Sequence, residues 1–352
     1  MFRTVVIFLV TLGLSACVSV PNGSQAAPGT AVDFNYALSQ SSDEQLLLNM
    51  VRLRYRDTTQ FLQITSVAEV QEFATGASAE TAFSPMGNFL NDFGVGGSAS
   101  YSRSPVISMS PMDDAQFATA MLTPLSTSDL YLLARSGWSI ERILLCCVER
   151  FGDLTNSPRA SGPTPDIVPD NSAFRHFTEE LRAYQRDENL TLLHTGEDAS
   201  LLFFGQARDD LPAIASRFGA AFDGNRLPLR LLAETDREGI QLQTRSILGT
   251  LYLLSHNIDV PASHNAAGLT TNAQPVSSET PDWNTFLDGI FRVHSGPDRP
   301  DQAFVAVEHR GYWFWIDDAD LSSKTTFNLV SYLIRLKSVT GSNVPVLTLG
   351  VD

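Results

Sequence analysis

The sequence predicts an α+β fold, on three observations. Apolar residues recur at helical spacing in some stretches, as in Leu46, Leu47, Met50, Val51 and Leu53. Elsewhere they alternate at the period of a strand, as in FGVGGSASYS, Phe93 to Ser102. The two kinds of segment are mixed without the regular strand–helix–strand spacing of a parallel sheet. Hydrophobic residues make up 43% of the chain, enough for a packed core.

The chain opens MFRTVVIFLVTLGLSACVSV. Arg3 supplies a positive start. Val5 to Leu14 is an apolar run of about ten residues, the size of a signal-peptide core and too short to span a bilayer. Leu14-Ser15-Ala16-Cys17 then resembles the lipobox of bacterial lipoproteins. The resemblance implies a signal peptide over residues 1–16 and a diacylglycerol on Cys17, with no other cofactor expected. An ordinary secretory signal with an incidental Cys is the alternative. Val18, not Asp, follows Cys17, which by resemblance to enterobacterial sorting implies the outer membrane, with the body facing the periplasm. A protein carrying two or more acyl chains is held stably.

Residues 17–42 are rich in Ser, Gly, Pro and Ala and read as a tether. Ser42 and Gln45 fit a capping box, which predicts a helix from Asp43 to about Tyr55. Arg52, Arg54 and Arg56 flank it as solvated arginines, ion-pair members or a functional cluster. Residues 60–110 predict a β-hairpin with long arms, Gln60–Phe83 and Phe93–Met109, around the loop SPMGNFLND. Helices are expected over DDAQFATAML and SIERILLCCVERF, with a leucine-rich segment from Leu130 to Ala134 between them. These elements make an N-terminal α+β region, 43–152. Four prolines between Gly152 and Ser172 mark a predicted domain boundary. The C-terminal α+β domain, 173–352, opens with a charged helix to Arg186. SLLFFGQ and RLPLRLLAET read as buried strands, with a helix near Leu211–Phe218. Thr244–His256 reads as a helix and Ala262–Asp282 as an exposed loop. Gln302–Val307 and Tyr312–Asp317 flank a turn at Gly311. A helix running through Leu336 and the strand VPVLTLG follow.

Two of these stretches, QLLLNMVRLRYRDTTQFL and GYWFWIDDADLSSKTTF, together with RSPVISMSP and Ser136-Gly137-Trp138, carry a wider resemblance. The chain beyond Cys17 resembles a family of uncharacterised Gram-negative outer-membrane lipoproteins over most of its length. The resemblance supports the lipid anchor and supplies no catalytic residues.

Chemical motifs are sparse. The sequence holds no GxSxG, HExxH, P-loop or CxxC. Its six histidines, at 176, 194, 256, 264, 294 and 309, form no metal-ligand spacing. Asp317, Asp318 and Asp320 lack the spacing of a calcium loop, and Asp320 or Ser322 is expected to cap the next helix. Trp313 and Trp315 alternate with Tyr312, Phe314 and Ile316, so both faces of that strand need cover, unless one offers an aromatic platform to a glycan. Cys146 and Cys147 are adjacent and too close for an unstrained disulfide, and Cys147 falls in an apolar helical stripe. Net charge is −15 with no basic patch, which argues against a nucleic-acid partner.

The hairpin carries the functional expectation. Phe73, Ala77, Ala79 and Phe83 share one face of the first arm; Phe93, Val95, Gly97, Ala99 and Tyr101 share one face of the second. Membrane-spanning strands need only about 9–11 residues and alternate lipid-facing with lumen-facing side chains. A lone hairpin in lipid leaves edge groups unpaired at several kcal/mol each, so the pattern asks for several copies. The expectation is an outer-membrane lipoprotein with a non-catalytic structural or assembly role, self-associating through the hairpin. Its expected partners are the membrane, reached through the lipid, and either other copies of itself or another envelope protein. A subunit of an oligomeric pore or export channel is the first alternative, and an envelope enzyme or ligand-binding protein the second.

Overall fold

Helix α1, Thr30–Arg54, is 25 residues long and contains no Gly or Pro to interrupt it. It therefore starts well before the predicted cap at Ser42. Residues 30–42, read from composition as part of the tether, are helical. Gln45 is freed from capping, and its side-chain oxygen accepts from the Leu62 amide at 3.0 Å. The computed structural model describes residues 30–81, 93–162, 167–168, 170–196, 198–231, 238–271, 274–275, 283–338 and 346–349. Over these the chain is α+β, as its periodicities predict.

The chain divides into two units. One holds Ile64–Ser110 and Asn343–Asp352 as well as residues up to Ser39; the other, the body, is Gln40–Gln63 with Pro111–Ser342. In the first lie strands β1, Leu62–Thr81, and β2, Phe93–Pro111, where the two extended arms were predicted.

The body continues with α2, Ala115–Leu122, capped by Asp114, and α3, Thr127–Arg135, which opens on a capping box of Ser126 and Asp129. Helix α4, Ile140–Cys147, is capped by Ser139 and stops four residues short of its predicted end. Val148–Phe151 instead form strand β3, turning into β4, Leu154–Thr155. A 3-10 turn, Pro158–Ser161, and β5, Ile167–Val168, lead to α5, Ser172–Arg186. Then come β6, Leu190–Thr195; β7, Asp198–Phe203; α6, Ala207–Arg217; β8, Arg226–Leu231; and β9, Ile240–Thr244. Strands β6 and β9 had no counterpart in the sequence reading. Helix α7 is Ile247–Ser255. The expected exposed loop contains α8, Ala262–Ala266, with His264 buried, and β10, Gln274–Pro275. After α9, Trp283–Phe286, strands β11, His294–Gly296, β12, Ala303–His309, and β13, Tyr312–Asp317, precede α10, Leu321–Ser338. Strand β14, Val346–Leu349, belongs to the first unit.

Six strands form one sheet in the order β4-β3-β9-β8-β7-β6, antiparallel except for the β8–β9 pair. Strand β3 precedes the proline-rich segment and β9 follows it, and they pair through Val148–Thr244 and Phe151–Leu242. The predicted boundary at Gly152–Ser172 therefore does not separate two bodies. Ala160, inside that segment, is fully buried, and one hydrophobic cluster runs from Leu46 to Leu333. Cys146 and Cys147 are both in it, and burial raises both thiols, Cys146 to about 11. They are apolar packing groups, held as thiols at neutral pH.

The second sheet of the body, β11-β13-β12, is antiparallel. Phe314 and Ile316 are buried in the core, while Trp313 and Trp315 are half-buried on the other face. That face is covered too: Arg299 lies over the Trp313 ring at 5.1 Å and His294 lies against Trp315 at 5.8 Å. Asp320 caps α10 as expected, accepting from the Ser323 amide at 3.0 Å. Asp318 pairs with Lys324 at 2.6 Å.

Candidate functional site

The strongest candidate is the sheet of the first unit, built from backbone. Its order is β14-β1-β2. Strand β1 has 20 residues and β2 has 19, so each arm is about 65 Å long at roughly 3.3 Å per residue. Strands of globular proteins usually have 3–10 residues. Strand β14 pairs with β1 in parallel, from Ser66–Val346 to Glu69–Leu349. Among the described residues β2 has one neighbour, β1, and its other edge ends the sheet. A free edge is a row of unmatched N–H and C=O groups, able to pair with another strand.

Phe73, Ala77 and Ala79 fall in β1, and Phe93, Val95, Gly97, Ala99 and Tyr101 fall in β2. The structure thus brings the predicted residues of both arms onto adjacent strands. Phe83 and the lipidation candidate Cys17 lie outside the described residues.

The body holds a second polar convergence, which the sequence did not reveal. The phenol of Tyr55, at the end of α1, bonds Nδ1 of His264 at 2.7 Å, buried, across 209 positions of sequence. Burial pushes the Tyr55 phenol up to about 12, against the opposing pull of Arg310 and Arg54, so it stays protonated at neutral pH. His309 stands edge-on to the same ring at 5.3 Å, and Arg310 lies over it at 5.2 Å. Asp57 accepts two bonds from Arg310, at 2.8 and 3.0 Å, and faces His309 Nε2 at 3.2 Å. Burial lowers the His309 pKa; Asp57 pulls it back up and Arg310 adds to the lowering. Arg56 and Arg310 both adopt left-handed backbone, at φ 59° and 55°, which costs a non-glycine residue about 1–2 kcal/mol.

This cluster fastens the end of α1 to the turn between β12 and β13. Within it Arg310 is paired with Asp57, and two of the flanking arginines tie the same end of α1 to Thr271. Arg52 reaches the Asn49 side chain, Arg54 donates to the Thr271 carbonyl at 3.1 Å, and Arg56 bonds the Thr271 hydroxyl. The one signal for it in the sequence was a pair of short charged segments, Arg56-Asp57 after a helix and His309-Arg310-Gly311 in a turn. Nothing local indicated that they meet.

Among the described residues no group of three or more His, Cys, Asp or Glu is placed to hold a metal ion. No described helix is long and apolar enough to cross a membrane, which does not bear on a β-barrel. Comparison with protein-family models, with curated proteins and with solved structures finds no match to this chain.

Proposed function

We propose that the protein is a lipid-anchored component of the outer membrane with a non-catalytic assembly role, joining copies of itself through the β1–β2 strands. The observation that carries the reading is the place of β2, 19 residues long, at the end of the sheet order, with β1 its one strand neighbour among the described residues. Proteins that remain single blunt such edges with short strands, bulges or covering elements. The segment from Met1 to Cys17 supports the anchor, and the lipoprotein resemblance of the quoted stretches agrees with it.

Arm length favours a second reading of the same surface, a shared pore. A strand crossing the apolar band of an outer-membrane barrel needs about 9–11 residues, and these arms have about twice that. Several copies, each giving two strands, then close a barrel with no edge left in lipid.

The test is the size of the intact lipidated protein in detergent. Discrete particles of several copies are expected, falling to single copies when residues 71–101 are replaced by a short turn. A uniform monomer from the intact chain overturns the proposal. Conductance in planar bilayers, lost in the shortened variant, separates the pore from a closed assembly. Cys17→Ser is expected to abolish incorporation of labelled palmitate; retained label removes the anchor from the reading.

A further inference from the structure

Each N–H and C=O along a strand edge makes its ladder bond with one neighbour, so an edge holds one partner at a time. The three-stranded sheet has two outer edges on long strands. One runs along β2; the other runs along β1 on the side away from β2. Strand β14 occupies the second over Ser66–Glu69. Beyond Glu69, β1 continues through Val70–Thr81, and among the described residues no strand lies on that side of it. Among the described residues the β1 edge is therefore covered by the chain's own C-terminal strand over Ser66–Glu69 and uncovered from Val70 to Thr81.

We infer that β14 is a register stop for assembly: it confines pairing between copies to the distal arms, where Val70–Thr81 of one copy receives the outer edge of β2 from the next. The inference rests on the self-association reading and specifies which edges meet. Three features carry it. First, each copy offers two different edges, and joining unlike edges is a head-to-tail contact that repeats around a ring. Joining β2 to β2 stops at a pair and leaves both β1 edges open. Second, the open run of about a dozen residues spans roughly 40 Å, more than the ~25 Å apolar band of outer-membrane barrels. The distal part alone is long enough to build a wall through lipid, and the proximal part can remain closed. Third, Val70–Thr81 reads VQEFATGASAET, and small-residue strands of this kind specify register poorly. A strand already seated on the same edge sets the end point that the side chains do not.

The test uses two tagged forms of the full-length chain, each with one new cysteine, made in the same cells and then oxidised. A disulfide joining the two tags can only link separate copies, and Cys146 and Cys147 are buried. Ala77→Cys in one form with Gly97→Cys, Ala99→Cys or Tyr101→Cys in the other is expected to give linked dimers. Ser66→Cys with Ser104→Cys or Val106→Cys is expected to give only background. Removing residues 343–352 is expected to raise the Ser66 links to the level of the Ala77 links. If Ser66 links as strongly as Ala77 in the intact chain, the register stop is overturned and self-association stands. If Ala99 links chiefly to Ala99, symmetric pairing overturns it instead. If no position links and the particle is monomeric, the underlying reading fails with it.

Discussion

Strand β9 in the body has a neighbour on each side, β3 and β8, and its Leu242 is 1% exposed. Strand β2 in the long sheet has a neighbour on one side only among the described residues. The ends of the two sheets differ as well. The six-stranded sheet ends in β4, with 2 residues, and β6, with 6. The long sheet ends in β14, with 4 residues, and β2, with 19. Short edges finish a sheet, because too few backbone groups remain to bind another chain. A long edge leaves most of a ladder unmade. The contrast separates a sheet that ends in short strands from one that, among the described residues, ends on one side in a long strand.

The body pairs much of its buried polar chemistry internally, although the Nε of Arg245 itself has no hydrogen-bond partner among the described residues. Arg245 is 1% exposed, and burial lowers its pKa to about 10, so it is still charged at neutral pH. It donates to the carbonyls of Val148 at 2.8 Å, Ser157 at 2.9 Å and Asn156. Asn156 in turn donates to the Leu145 and Val148 carbonyls, each at 2.8 Å. This network holds the switch from α4 to β3 in place.

Four experiments break or sharpen the contrast. The largest effect is expected from Arg245→Ala, which removes a buried donor shared by three carbonyls, of which Val148 keeps Asn156 and Ser157 keeps the Ala160 amide. The body should lose about 3–5 kcal/mol, read as a lower urea midpoint. A loss below about 1 kcal/mol would mean that internal pairing is not what holds the body. Next is Phe151→Ala. Its ring is fully buried, 5.0 Å from Phe177 and 5.3 Å from Phe218, and removing it should cost about 3 kcal/mol or more.

The third concerns His256, stacked on Trp283 at 4.6 Å. Burial, helped by the charge of Arg54, lowers its pKa from 6.5 to about 3. Between those values the unfolded chain binds a proton that the folded one refuses. Stability is full above pH 6.5 and falls as pH drops toward 3, with a slope of up to about 1.4 kcal/mol per pH unit. His256→Phe keeps the stacking ring and should flatten that slope relative to the parent; an unchanged slope would assign the acid sensitivity to other groups. The smallest effect is expected from replacing residues 71–101 by a short turn. The base of the arms stays tied by the Met112 amide to the Phe61 carbonyl at 2.8 Å, so the body's stability should shift by no more than about 0.5 kcal/mol. A collapse of the body on that deletion would erase the distinction between the two regions.

Much of the body was legible locally. Asp320, one of the two residues expected to cap the last helix, does so, and the alternation of Tyr312–Ile316 marks a strand. The failures share a cause. Ile140, Ile143, Leu144 and Cys147 continue in helical register to Val148 and Phe151, yet Val148–Phe151 are drawn into β3 by pairing with β9. Ser42 and Gln45 have the letters of a cap, but α1 runs through them. At the candidate site, the seat of β14 on β1 had no sequence signal.

The sequence alone determined the α+β class and most helices and strands of the body, because propensity, capping and periodicity act over a few neighbouring residues. Tertiary structure alone decided that β3 and β9 pair across the proline-rich segment, that Tyr55 meets His264 and Asp57 meets Arg310, and that the C-terminal strand sits on β1 at Ser66–Glu69. Those are choices of partner across hundreds of positions, made by which groups remain unpaired once everything else has packed.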